Sequence, residues 1–268
     1  MYLADYHVHS TCSPDGRQTM AQAAGAAVAA GLQELCFTDH VDTFYWSDFS
    51  PRSQHDWAEE RRQFRQAREQ WGDRIALRMG AELGDAQWSL ERAAQLMDGQ
   101  QLDFIIGSVH LAGDDFGRMD LYDVPRGTED YYHRFIDSYL TELASLVQWG
   151  GFHVVGHLSL PLRYINEHWG EHMTFDAHME QVEALLRRMI DRGIGLECNT
   201  NRGGEPLPGA DILRLYRRLG GELITLGSDA HRPEDVGRSI ARTQQLLRDC
   251  GFRWFATFTG GQPQQHPL

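Results

Sequence analysis

The sequence predicts an α/β barrel of about seven parallel strands surrounded by helices. Short apolar runs alternate with longer amphipathic segments along the chain, and repeated β-then-α order is typical of a parallel sheet. The runs are apolar throughout rather than alternating, so both faces of the sheet should be buried. The length of 268 residues, 41% of them hydrophobic, is enough for one sizeable core. We therefore expect a single domain over residues 1–268.

Each element follows from its own apolar pattern. The predicted strands are 3–8, 34–38, 75–81, 104–109, 153–156, 195–197, 223–226 and 254–258. The predicted helices are 19–30, 56–71, 90–96, 128–147, 175–192, 210–219 and 233–248. The last residues, 259–268, are rich in glutamine and proline, so we expect a loose tail there.

Composition excludes several classes of protein. The net charge of −13, without a basic cluster, argues against a nucleic-acid surface. There is no apolar run long enough to span a bilayer, and the first residues lack the pattern of a secretory signal. The cysteines are widely scattered, with no C-x-x-C pair, so we expect reduced thiols and a cytoplasmic protein.

All 25 basic residues are arginine, and none is lysine. This excludes Schiff-base chemistry, pyridoxal attachment and a P-loop lysine. It also excludes a carboxylated lysine as a bridge between two metals. Any bridging ligand must therefore come from aspartate or glutamate.

Metal-binding residue types follow the predicted strands. His7 and His9 are two residues apart on an extended run, so both imidazoles point to the same side. Six strands end in such a residue, and several of these are preceded by a small residue that gives clearance. The residues are His7 and His9, then His40, Glu82, His110 and His157, then Asp229 with His231. Active sites of parallel barrels lie at this end of the strands, so we predict a metal centre there.

The sequence alone does not decide the roles of three neighbouring features. The side chain of Asp39 should point away from that of His40, which favours an orienting role. Glu197 ends the sixth run and either contacts substrate or supports its neighbours. The aromatic segment 44–46 either lines a pocket or packs locally.

The ordered motifs H-x-H, S-P-D-G, T-D-H, G-x-E, G-S-V-H, G-H and G-S-D-A-H resemble the PHP (polymerase and histidinol phosphatase) family. The resemblance covers nearly the whole chain, from residue 7 to about residue 258, and is greatest to stand-alone histidinol-phosphate phosphatases. It implies a distorted (β/α)7, TIM-like barrel that binds two to three divalent ions. Mixed imidazole and carboxylate ligands admit Zn, Mn or Fe.

The resemblance also implies a ligand set. The first metal would take His7, His9, Glu82 and Asp229; Glu82 would bridge to a second, with His110 and His157; a third would take Asp15, His40 and His231. Without the resemblance, Asp15 in Ser-Pro-Asp-Gly would be an ordinary turn residue.

The function implied is hydrolysis of L-histidinol phosphate, a small phosphate ester, in histidine biosynthesis by attack of metal-activated hydroxide. Glu82 would hold the metals, and Asp229 or His231 would protonate the leaving group. Arg163 and Arg202, expected on loops beyond strand ends, would bind the phosphoryl group. Relatives commonly have an acid where this chain has Ser159.

The sequence is also compatible with other functions for the barrel. These are a phosphodiesterase or exonuclease, a phosphatase for another small ester, and a non-catalytic scaffold. The overall acidity and the lack of a polymerase segment count against a nuclease. The complete ligand set counts against a scaffold.

Overall fold

A computed structural model describes all of residues 1–268 and confirms the predicted barrel. The strands are β1 (Ala4–Val8), β2 (Glu34–Phe37), β3 (His40–Asp42), β4 (Ala76–Gly84), β5 (Phe104–Ser108), β6 (Val154–Val155), β7 (Gly195–Asn199), β8 (Ile224–Gly227), β9 (Trp254–Thr259) and β10 (Gln262–Pro267). Seven of them form a parallel sheet in the order β1-β2-β4-β5-β6-β7-β8, and the short β3 pairs with β4.

The sheet curls until its two edges meet. A parallel bridge joins Val8 to Ala230, directly after β8. The amides of His9 and Asp229 add bonds across the same seam, to the carbonyls of Ala230 at 2.9 Å and of His7 at 2.8 Å. The ends of β1 and β8 are therefore neighbours, although they are far apart in sequence.

The helices cover the outside of the sheet. They are α1 (Met20–Ala29), α2 (Trp57–Trp71), α3 (Leu90–Met97), α4 (Glu129–Trp149), α5 (Leu160–Trp169), α6 (Met179–Asp191), α7 (Ala210–Arg218) and α8 (Ile240–Asp249). The side chains of Thr19, Asp56 and Thr128 cap α1, α2 and α4, as helix-start residues should. Sequence patterning missed α5 and merged a short 3-10 turn, Pro233–Asp235, with α8.

The predicted loose tail is wrong, because residues 262–267 form β10, which pairs antiparallel with β9. Gly260 and Gly261 turn the chain with φ values of 56° and 75°, a left-handed conformation that glycine adopts readily. The ring of His266 stacks on that of Tyr2, with centroids 4.0 Å apart. A Gly-Gly pair between two extended segments is a hairpin signal that composition alone obscured.

The hairpin is anchored to the barrel through Tyr6. Its buried hydroxyl donates to the carbonyl of Phe258 at 3.0 Å and accepts from the amide of Phe258 at 2.9 Å. The ring of Phe104 packs against both residues, with centroids 5.2 Å from Tyr6 and 4.8 Å from Phe258. These contacts attach β1 to the hairpin and to β5 through Tyr6, just before the predicted metal ligands His7 and His9.

None of the helices combines the length and the apolar character that a bilayer crossing requires. All four cysteines are free, and three of them are buried.

Candidate metal centre

The residues predicted from the strand ends converge on one carboxylate, that of Glu82. Register places Glu82 of β4 beside His40 of β3 on one side and Ile106 of β5 on the other. Its side chain is 1% exposed. Five imidazole nitrogens surround its oxygens: His7 Nε2 at 3.3 Å, His9 Nε2 at 3.5 Å, His40 Nδ1 at 2.9 Å, His110 Nε2 at 3.2 Å and His157 Nε2 at 2.8 Å.

Small residues allow this convergence. A Cβ on Gly227 would lie 2.3 Å from the Cβ of His7, and a Cβ on Gly156 would lie 2.6 Å from Ser108 Oγ. Larger residues at these positions would push β8 and β6 outward and separate the ligands. The predicted clearance role of the small residues is thus supported by the packing.

Hydrogen bonds set the tautomers of the first two histidines. His7 Nδ1 is 2.6 Å from Glu197 Oε1, and His9 Nδ1 is 3.0 Å from Ser13 Oγ. Ser13 Oγ donates in turn to Asp39 Oδ1 at 2.6 Å, so Asp39 has the orienting role that its position predicted. With protons on both Nδ1 atoms, each Nε2 presents a lone pair to the region around Glu82.

Asp229 and the third group of predicted ligands complete the site. Asp229 Oδ1 is 3.3 Å from His9 Nε2 and 3.6 Å from His231 Nδ1. His231 Nε2 is 3.0 Å from Asp15 Oδ2, whereas His40 Nε2 is 3.8 Å from Asp15 Oδ1. The Asp15 side chain is 49% exposed, so this group lies at the mouth of the site.

These residues fit divalent ions. Several buried ligand atoms have no hydrogen-bond partner in the protein, among them His7 Nε2, His9 Nε2 and Glu82 Oε2. Unpaired buried polar atoms are costly, and ions would satisfy them. The ligand atoms fall into four groups whose members lie within 4.8 Å of one another: His7, His9 and Glu82; Glu82, His110 and His157; His9, His40 and His231; His40, Asp42 and His110.

The pKa shifts of the clustered residues also favour bound metal ions. Burial alone would raise the pKa of Glu82, but His7, His40 and His110 hold it well below its usual range. Burial and the neighbouring His231 and His40 lower the pKa of His9 well below its usual value. Cationic imidazoles thus compete with one another for the same carboxylate, a conflict that shared metal ions would remove.

Two of the predicted ligand residues have left-handed backbone conformations. The φ angle is 22° at His157 and 58° at Asp229, and neither residue is glycine. Such conformations are costly and occur mainly where the surrounding structure requires a side chain in one orientation. Nothing in the sequence pattern predicted them.

The family model for the PHP domain matches residues 5–201. The chain belongs to the PHP domain family. A histidinol-phosphatase of Lactococcus lactis subsp. lactis is 31% identical over 270 residues, covering 97% of this chain and 96% of that protein. A protein of Deinococcus radiodurans, named a probable histidinol-phosphatase, is 29% identical and covers 94% of this chain and 95% of its own length.

A solved structure of a histidinol phosphate phosphatase from Lactococcus lactis, in complex with Zn, L-histidinol and phosphate, is also similar. Its TM-score is 0.82 at 30% identity, and the match covers 98% of each chain.

Asp42 is a feature of this PHP site that sequence reasoning did not assign to metal binding. It is buried, with Oδ1 3.5 Å from His110 Nδ1 and 4.0 Å from His40 Nδ1. Because β3 was not predicted, its placement on the same side as His40, two residues earlier, went unused. The i and i+2 spacing that identified His7 and His9 would have found it.

Glu197, predicted among the substrate-binding residues, does not face the cavity. It is 1% exposed, and its two oxygens are bound by His7 Nδ1 at 2.6 Å and by the amide of His157 at 2.7 Å. Asn199 Nδ2 also donates to Oε2 at 3.2 Å. These contacts agree with the alternative role, support of its neighbours, and substrate contact by Glu197 stays a prediction.

The two arginines predicted to bind phosphate lie near the PHP cavity without lining it. Arg163 is on α5 rather than on a loop, and its Nε is 3.2 Å from Glu167 Oε2. Arg202 follows β7 in a short 3-10 turn, and its amide donates to the carbonyl of Ser228 at 3.3 Å. The cavity itself has a volume of about 260 Å³ and is lined by Asp15, His40, Trp46, Glu82, His110, Asp120, Tyr122, His157, Leu160, Tyr164, Asp229 and His231.

Proposed function

We propose that this chain hydrolyses L-histidinol phosphate to L-histidinol and phosphate, as a step of histidine biosynthesis in the cytoplasm. The observation that carries the proposal is the Glu82 cluster, in which five imidazoles surround one buried carboxylate at the floor of an open cavity. The relative whose structure contains Zn, L-histidinol and phosphate supports the choice of substrate. Residues 1–268 would act as one domain on a small phosphate ester, without nucleic acid.

The ligand atoms would hold two to three divalent ions, Zn, Mn or Fe. We assign His7, His9, Glu82 and Asp229 to the first; Glu82, His110 and His157 to the second; Asp15, His40 and His231 to the third. Such ions would supply Lewis acidity, by which water becomes a nucleophile near neutral pH and charge on phosphate is neutralised.

The protein groups would orient the ester and manage its protons. Asp229 and His231 both line the cavity, and Asp229 Oδ1 is 3.6 Å from His231 Nδ1. Burial would lower the pKa of His231, but Asp15 and Asp229 raise it, so His231 is the proposed donor of a proton to the oxygen of the departing alcohol. Burial would raise the pKa of Asp229, but His7 and the other histidines hold it well below its usual range, so Asp229 would stay ionised and bind the first metal.

Arg163 and Arg202 are the proposed phosphate ligands. Arg163 precedes Tyr164, a residue that lines the cavity, and its side chain is only 12% exposed. The amide of Arg202 donates a hydrogen bond to the carbonyl of Ser228, which is next to Asp229 in sequence. A guanidinium that turned from Glu167 towards the cavity would meet a terminal phosphate with two parallel donors.

Phosphate release from a panel of esters tests the proposed function. We expect protein loaded with Zn or Mn to prefer L-histidinol phosphate over AMP, p-nitrophenyl phosphate and a phosphodiester. Replacing Arg163 with alanine should lower kcat/KM for histidinol phosphate about 10- to 100-fold, the range expected for a charged hydrogen bond.

Arg187, exposed on α6 and paired with Glu183, provides a matched control, and its alanine variant should keep wild-type rates. Cleavage of the diester without cleavage of histidinol phosphate would exclude the proposed substrate and favour a nuclease.

A further inference from the structure

One carboxylate in the cavity is not part of the metal cluster. Asp120 ends a loop that folds back on His110, since an antiparallel bridge pairs Asp120 with Leu111. The amide of Leu121 donates to the carbonyl of His110 at 2.8 Å. The carboxylate is thereby fixed beside the proposed metal ligands, at the wall of the cavity.

Asp120 differs from the other cavity carboxylates in its partners. Asp15, Glu82 and Asp229 all face imidazoles within 4.0 Å. Asp120 Oδ1 accepts the amide of Tyr122 at 2.8 Å, and neither of its oxygens has an ion-pair partner in the protein. Burial raises the pKa of Asp120, although the amide of Tyr122 and the nearby His110 oppose the shift.

Aromatic side chains form the rest of this wall. Tyr122 and Tyr164 both line the cavity, with ring centroids 5.4 Å apart in an edge-to-face arrangement. Trp46 lines it too, and its buried indole Nε1 has no hydrogen-bond partner. Aromatic faces next to a carboxylate are well suited to an organic cation.

Charge decides which end of a phosphate ester this wall can contact. A carboxylate without a cationic partner repels a phosphate dianion, so Asp120 cannot serve the phosphoryl end. It must face the alcohol part of the ester, where a positive group would replace the missing ion pair.

We propose that Asp120, flanked by Trp46, Tyr122 and Tyr164, binds a primary ammonium on the alcohol part of the substrate and selects cationic phosphate esters. This inference rests on the proposed function and adds the residue that recognises the alcohol part of the substrate. Asp120 is a specificity residue and takes no part in the cleavage of the phosphate ester.

The test compares L-histidinol phosphate with its analogue lacking the amino group, 3-(imidazol-4-yl)propyl phosphate, in the wild type and in Asp120→Asn. Asparagine can still accept the amide of Tyr122, so the loop keeps its cap while the charge is lost. We expect the ratio of the two kcat/KM values to fall about 10- to 100-fold in the variant, mainly through KM for histidinol phosphate.

Asp123→Asn is the matched control, because Asp123 is exposed in the same turn and does not line the cavity. It should keep the wild-type ratio. If Asp120→Asn keeps that ratio, or loses equally on both esters, the inference is overturned while the proposed function stands. If the wild type releases no phosphate from histidinol phosphate, the proposed function fails and the inference falls with it.

Discussion

Replacing Glu82 with glutamine should reduce phosphate release by about a thousand-fold or more, the largest effect that we expect from any single substitution. The carboxylate lies 2.8 Å from His157 Nε2 and 2.9 Å from His40 Nδ1, and it is the one acid shared by the first two proposed metal positions. An amide of the same size removes the negative charge and one of the two acceptor oxygens. Neither ion would then have its bridging ligand.

The measurement is metal content by mass spectrometry alongside phosphate release from L-histidinol phosphate. Glu91→Gln, an exposed position on α3, makes the same chemical change away from the site and should behave as wild type. A Glu82→Gln protein that binds the wild-type number of ions and keeps its turnover would contradict the proposed bridging role.

Replacing Glu197 with glutamine should weaken metal binding about 10- to 100-fold, as loss of a group that orients a ligand typically does. Both oxygens of Glu197 accept, from His7 Nδ1 at 2.6 Å and from the amide of His157 at 2.7 Å. Glutamine has only one acceptor oxygen, so one of these donors would meet an N–H group instead. Either His7 would no longer be held in the tautomer with its proton on Nδ1, or the amide of His157 would lose the acceptor that fixes its position.

Activity as a function of added metal separates this role from substrate binding. In Glu197→Gln the metal concentration for half-maximal activity should rise, and excess metal should restore much of kcat. Glu180→Gln, exposed on α6, is the control. An unchanged metal requirement with a raised KM for histidinol phosphate would instead make Glu197 a substrate ligand.

The convergence of the candidate metal ligands was predictable because strand periodicity decides where they lie. A parallel barrel brings all its strand ends to one face, and i, i+2 spacing puts side chains such as His7 and His9 on the same side. Position along each strand therefore carried enough information to bring Glu82 and the six histidines together. Only Asp15 needed the family resemblance, because it lies on a turn with no strand to position it.

What sequence reasoning missed depends on contacts between distant segments. β3 is three residues long and exists because β4 continues past Ala81 to pair with it, so the position of Asp42 beside His40 and His110 was not predicted. Glu197 lies next to His7 and His157 only after the barrel closes. Asp120 enters the cavity because its loop folds back on His110, which no local pattern indicates.

Titration of metal-free protein with Zn or Mn, followed by phosphate release from L-histidinol phosphate, tests the central claim most directly. We predict no activity without metal, and activity that rises with the binding of two to three ions per chain. The same ions should raise Tm, because ligands that bind the folded state stabilise it. Full turnover by the chelated, metal-free protein would contradict the account.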